Sequence, residues 1–171
     1  HLWGRNPGTA KQVLTAGCRA DGMLAVSQAL KDDMVALGMP EERIRVHYTG
    51  VDLERFNPLD RTSAKAELGI TGPLIASVGA LIPRKGQSIL IDALPSLSGA
   101  TLVLSGQGES RAALEDQARQ RGVADRIIFT GPLDHAAIAH WLAAADVMAL
   151  MSASEGLANA WVEALACGTP V

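Results

Sequence analysis

The stretch LIASVGALIPRKGQSILIDAL, residues Leu74–Leu94, reads as a β-strand, a loop and an α-helix in immediate succession. The apolar run Leu74–Val78 is short and lies between Gly72-Pro73 and Gly79, as a buried strand does. The helix predicted over Gln87–Leu97 follows the basic loop at once. The alternation then repeats. Strands are predicted near Thr101–Ser105, Arg126–Thr130 and Asp146–Leu150, and helices near Ser110–Gly122, Asp134–Ala145 and Leu157–Cys167. Four βα units in succession predict a Rossmann-like, doubly wound parallel sheet with helices on its faces. Ligands of such sheets bind at the carboxyl ends of the strands, so chemistry is sought in the loops that follow them.

Upstream of this core the chain turns polar over FNPLDRTSAKAELGITG, Phe56–Gly72. Asn57-Pro58 stops any preceding element. Residues 57–71 are therefore expected to be a linker carrying one short helix near Ala64–Leu68. Before it, Gly22–Val26 reads as a strand. Ser27 is placed to cap a helix whose Leu30, Met34 and Leu37 fall at i, i+4 and i+7. Arg43–His47 alternates like a half-exposed strand. Residues 1–56 are accordingly expected to be the end of a preceding Rossmann-like domain, and residues 72–171 the first part of a second. The initial His1, and an ending in which a helix stops at Gly168 and a strand begins, lead to the expectation of an internal piece of a longer chain.

Composition excludes several classes. Of 171 residues, 48% are hydrophobic and 19% charged, which is globular rather than disordered. Only 4% are aromatic, so alanine and aliphatic side chains must fill the core. A net charge of −3 gives no general attraction to nucleic acid or anionic membrane. The most apolar windows, Leu74–Ile82 and Trp141–Met151, are about half the ~20 residues needed to cross a bilayer. No basic segment followed by an apolar run marks a signal peptide. Cys18 and Cys167 are far apart and lack metal-ligand spacing, which fits free thiols in a reducing cytoplasm.

Three strand-to-helix junctions carry polar groups. In VGALIPRKG, Val78–Gly86, the strand ends at Gly79 and the loop delivers Arg84 and Lys85 to a helix start. Cations there are locally unfavourable unless an anion is present, so a phosphate or diphosphate is one reading and a solvated basic pair the other. In SGQGES, Ser105–Ser110, Arg111 occupies the place where a dinucleotide fingerprint needs its third glycine, and a tight, closely packed turn is the preferred reading.

The third junction is SASEGLANAWVEALACGTPV, Ser152–Val171. Glu155 follows a strand, Gly156 gives the backbone freedom, and a helix begins with Leu157, Trp161 and Leu165 on its expected buried stripe. Asn159 and Glu163, four apart, share another face. Glu155 and Glu163 are eight apart, ~12 Å on a helix rising 1.5 Å per residue, about the span from sugar to ribose in a nucleoside diphosphate sugar. One carboxylate would take hydrogen bonds from the sugar and the other from the ribose. Free N–H groups of Leu157, Ala158 and Asn159 would meet the diphosphate. Each acid taken singly is also an ordinary helix residue. Asp134 reads as an N-cap. His135 and His140, five apart, do not share a helix face, and no metal is expected.

EGLANAWVE, Glu155–Glu163, resembles the E-x7-E motif of retaining glycosyltransferases of the group 1 type, also called family 4, and ALACGTPV resembles that family's continuation. VGALIPRKGQSILIDAL, VLSGQGESRAALE and ADRIIFTGPLDHAAIAHWLAAADVMALMSASEG resemble its earlier second-domain segments. ADGMLAVSQALKDDM and RIRVHYTGVDLERFNP resemble the end of its first domain. The resemblance covers about Ala20–Val171. It implies a GT-B fold, with the donor on the second domain. It implies transfer of a sugar from a nucleoside diphosphate sugar to a sugar or lipid-linked acceptor hydroxyl, with retention. Glu155, Lys85 and Arg84 would be catalytic. Glu163, Gly156, Leu157, Ala158, Asn159 and Gly79 would bind the donor, and Leu133, in the loop Gly131–Asp134, the base. No cofactor, metal or nucleic acid is implied, and peripheral membrane association would run through the rest of the first domain. Two positions depart from the family pattern. Ala80 stands where an arginine is usual, with Arg84 as a substitute, and Ala158 stands where glycine is frequent. A GT-B epimerase or phosphorylase, and a non-catalytic nucleotide-sugar-binding module, are the rival readings.

Overall fold

The computed structural model describes residues 6–153, 155 and 157–171. They form two units. The first holds the described residues up to Gly50 together with Glu155 and Leu157; the second holds Val51–Ala153 and Ala158–Val171.

The first unit opens with α1 (Pro7–Arg19), which the sequence pattern did not predict. Its start is nonetheless written in the chain: the Asn6 side chain accepts from the N–H groups of Gly8 and Thr9, and Pro7 takes the first helical position, where a missing N–H costs nothing. Strand β1 (Met23–Ala25), helix α2 (Gln28–Ala36) and strand β2 (Ile44–Val46) follow, with β1 and β2 parallel. Ser27 Oγ accepts from the Leu30 N–H at 3.1 Å and caps α2 as expected. Ala25, Met34, Met39 and Ile44 form the core. Gly17 lets α1 approach it, because a Cβ there would stand 2.8 Å from Met39 Sδ.

The second unit contains α3 (Arg61–Glu67), β3 (Leu74–Val78), α4 (Gln87–Ala93), β4 (Thr101–Ser105), α5 (Arg111–Gln120), β5 (Ile127–Gly131), α6 (His135–Ala144), β6 (Val147–Met148) and α7 (Asn159–Ala166). Its four strands are all parallel, in the order β5-β4-β3-β6. Both faces are covered, which is why the strands read as apolar runs rather than alternations. Leu74, Ala76, Val103 and Met148 pack with α3, α6 and α7 on one face, while Leu102, Leu104 and Ile127 pack with α4 and α5 on the other. The strand order reverses beside β3. The chain moves outward through β4 and β5, then returns to the other side of β3 as β6. That reversal opens a crevice at the carboxyl ends of β3 and β6.

Two expectations are corrected. The polar stretch 57–71 carries the expected short helix as α3, but it belongs to the second unit rather than standing between the two. Asp60 caps α3 by accepting from Ser63, Ala64 and the neighbouring Phe56 are buried in the second unit's core, and Lys65 bridges to Asp146 at 2.5 Å. The Asp146 carboxylate also accepts from the Leu74 N–H at 2.7 Å. Burial raises its pKa, but the Lys65 ammonium and the Leu74 N–H together hold it below the ordinary carboxylate value. Strand β6 is two residues long rather than five, because after Ala149 donates to the Ala76 carbonyl the chain leaves the sheet for the crevice. The Met148 N–H donates to the Pro170 carbonyl at 2.8 Å, so the chain beyond Gly168 runs alongside β6.

Candidate functional site

The crevice is built from backbone contacts that only glycine permits. The Gly79 N–H donates to the Ser105 carbonyl and the Leu81 N–H to the Gln107 carbonyl, each at 2.9 Å. A Cβ on Gly106 would stand 2.0 Å from the Gly79 carbonyl oxygen, and one on Gly108 2.3 Å from that of Leu81. The SGQG segment is thus the tight, closely packed turn expected of it, and it serves as a floor for the loop after β3. Gln87, 2% exposed, donates to the Ala80 carbonyl at 3.0 Å and closes that loop from below. The sequence pattern did not single out Gln87; the signal was an amide at the first position of the helix.

Pro83–Lys85 forms a single 3₁₀ turn that ends at Gly86, whose φ is +69°. A Cβ on Gly86 would meet the Met151 carbonyl oxygen at 2.1 Å. The Ala153 N–H donates to the Arg84 carbonyl at 2.9 Å. The basic turn is therefore held against the segment that leaves β6, across the strand-order reversal. The half-buried Lys85 doubles back: its Cε and Cδ pass within 3.9 and 4.0 Å of where a Gly79 Cβ would lie, beside Leu150. Arg84 is exposed on the same turn. The structure thus brings Gly79, Lys85 and Arg84 together at the carboxyl end of β3. Ala80, where the resembled family usually has arginine, lies between Gly79 and the Gln87 contact. The Ser152 hydroxyl, in the segment leaving β6, is buried without a hydrogen-bond partner.

Helix α7 begins at Asn159, two residues later than expected, with Ala158 as N-cap and, among the described residues, no side-chain cap on its first N–H groups. Its amino-terminal donors are those of Asn159 and Ala160; Leu157 precedes the helix. The expected buried stripe is corrected in the same way. Leu165 is 58% exposed, and the core-facing residues are Ala160, Trp161, Ala164 and Cys167. The ~12 Å axial spacing assumed an unbroken helix, whereas only the portion from Asn159 to Glu163 is helical. Glu155 is placed seven residues beyond β6 by the chain, and Gly156 lies outside the described residues.

Glu163 is half-buried on α7. Burial pushes its carboxyl above the ordinary value, and the nearby His135 opposes that rise. Leu133 is half-buried in the loop between β5 and α6, and Asp134 Oδ1 caps α6 by accepting from the Ala137 N–H at 2.8 Å. Among the described residues no group of three or more His, Cys, Asp or Glu side chains is gathered to hold a metal, and no helix is long and apolar enough to cross a membrane.

Known proteins resemble this chain in sequence and in fold. Residues 60–171 match the family model described as glycosyl transferases group 1, and residues 1–55 match that of glycosyltransferase family 4. The D-inositol 3-phosphate glycosyltransferase of Mycobacteroides abscessus is 34% identical over 160 residues, which is 89% of this chain and 36% of that protein. That of Xylanimonas cellulosilytica is 35% identical over 175 residues, 94% of this chain and 41% of that protein. The chain thus spans roughly two-fifths or less of the curated relatives it matches. The crystal structure of Anabaena HepE in complex with UDP and glucose superposes with a TM-score of 0.85 at 28% identity, over 96% of this chain and 47% of that one. The parallel sheets of the present chain share the architecture of GT-B glycosyltransferases, and the chain belongs to the group 1 family of glycosyl transferases.

Proposed function

We propose that the full-length protein transfers a sugar from a nucleoside diphosphate sugar to an acceptor hydroxyl, with retention at the anomeric carbon. The observation that carries this reading is the Arg84–Lys85 turn pinned across the β3/β6 reversal, with the Lys85 stem lying over Gly79. Two cations at the end of a parallel strand are suited to a diphosphate. As the glycosidic bond breaks, negative charge grows on the departing β-phosphate. Lys85, Arg84 and the uncapped amino end of α7 would stabilise that charge from positions fixed beforehand. Glu155 would hold the sugar through its hydroxyls and favour its oxocarbenium-like state, and Glu163 would accept from the ribose. Leu133 would border the base. The Anabaena relative was crystallised with UDP-glucose as well as with UDP, which makes a UDP-sugar the first donor to try.

In the full-length protein, Glu155→Gln and Lys85→Ala are each expected to cut turnover at least tenfold, about 1.4 kcal/mol or more of barrier. Near-parental rates for both variants would overturn the assignment. Product analysis by NMR reads the anomeric configuration directly and separates transfer from isomerisation or from binding without turnover.

A further inference from the structure

Helices α6 and α7 both return along the same face of a parallel sheet, and a contact at the C-cap of α7 sets their register. Cys167 Sγ lies 3.7 Å from the Ala139 carbonyl oxygen, an offset of 28 residues. Just beyond the helix, Thr169 Oγ1 donates to the Leu142 carbonyl at 2.6 Å and ties the chain after α7 to α6. Residues four apart share a helix face, so the same register one turn earlier sets His135 and Glu163 at facing positions, again 28 apart by subtraction (163 − 135).

His135 is itself held from the opposite side. Arg55 Nη1 lies 3.4 Å from His135 Nδ1, and the buried Phe56 ring meets the imidazole edge-on with centroids 6.2 Å apart. Arg55 is steadied by Asp52, whose Oδ1 accepts the Arg55 N–H at 3.3 Å and whose Oδ2 lies 3.9 Å from Nη2. A guanidinium can only donate, so Nδ1 must accept and the ring proton resides on Nε2.

We propose that His135, oriented by Arg55 and Phe56, is a positioning residue for Glu163: when the donor binds, its Nε2–H donates to the carboxylate and fixes which oxygen meets the ribose. This rests on the reading of Glu163 given above. The chain of groups runs Asp52, Arg55, His135, Glu163, and links the loop before α3 to the ribose end of the donor.

The test is steady-state kinetics of the full-length protein with UDP-glucose as donor, or with whichever nucleotide sugar supports turnover. His135→Ala and Arg55→Ala are each expected to raise the donor KM at least fivefold while kcat stays within twofold. His135→Gln, whose amide replaces the Nε2 donor, is expected to bring KM back to within about twofold of the parent. His135→Ala added to Glu163→Gln is expected to raise KM by less than a further twofold, since a residue acting through Glu163 has nothing left to position. Full additivity, or an unchanged KM in both alanine variants while Glu163→Gln raises it, overturns the positioning role and leaves the ribose reading standing. An unchanged KM in Glu163→Gln overturns both. Should His135→Ala not fold, Arg55→Ala, on an exposed loop, decides between the same outcomes by the same KM comparison.

Discussion

Gly86 shows how much of the site rests on single backbone positions. Its φ of +69° is one that L side chains rarely adopt, and the Met151 carbonyl oxygen occupies the place of a Cβ. Gly86→Ala therefore has to bend the 3₁₀ turn away from the segment leaving β6, and that turn carries Arg84 and Lys85. We expect a loss of at least ~2 kcal/mol in denaturant unfolding, above the ordinary cost of a surface glycine because strain and overlap act together. Donor affinity should fall with it. Gly99→Ala is the matched control: its φ of +71° is just as unfavourable, but no atom lies within 4 Å of the added methyl. If the two variants lose equal stability, close packing against Met151 is not what holds the basic turn.

At the scale of elements, the α6–α7 contact makes a pH-dependent prediction. Cys167 is 3% exposed between the two helices. Burial first, and the nearby Glu163 second, push its thiol from 9.0 up to about 11. A group that ionises less readily in the folded chain leaves stability untouched below the unfolded value. Above it, the unfolded chain releases a proton that the native one keeps, so stability falls as pH rises from near 9 toward 11. The loss attributable to this thiol is expected to be roughly 2 kcal/mol. The measurement is the difference in urea stability between parent and Cys167→Ala at pH 7.5 and pH 10.5, which cancels the other groups titrating in that range. A difference that does not change with pH would show that the thiol ionises freely in the native state. Below pH 9, Cys167 should resist thiol reagents while the exposed Cys18 reacts.

These elements were legible in the sequence to unequal degrees. Strands β3 and β4 are bounded in the structure as their apolar runs and flanking glycines predict, because nothing competes with burial on both faces. Helix α7 starts late, since its first turn is decided by how the chain leaves β6 and not by the periodicity of Leu157, Trp161 and Leu165. Helix α3 was expected as one short helix within a linker, because its exposed face is polar. Only the burial of Ala64 and Phe56 and the Lys65–Asp146 bridge, formed across 81 positions, reveal that it is packed. The basic turn and Glu163 were found by residue type at strand-to-helix junctions. Gln87 left only the amide at the head of its helix, and the Arg55–His135 contact joins segments 80 positions apart and leaves no local signal.

For the whole molecule, charge frames the last prediction. The chain carries a net −3, yet Arg84 and Lys85 sit at the reversal of strand order, where a parallel sheet opens to a ligand. A diphosphate leaving group can be neutralised by a divalent cation held between carboxylates, or by fixed cations and helix donors. The second arrangement is the one these residues are suited to: two cations on a pinned turn and an amino-terminal helix end without a side-chain cap. Transfer by the full-length protein is accordingly expected to continue within twofold of its original rate in excess EDTA. Lys85→Ala should not be rescued by added magnesium or manganese. A loss of more than tenfold on chelation, restored by either ion, would mean that a metal holds the β-phosphate, and that the basic turn then serves to recognise the donor rather than to stabilise its departing charge.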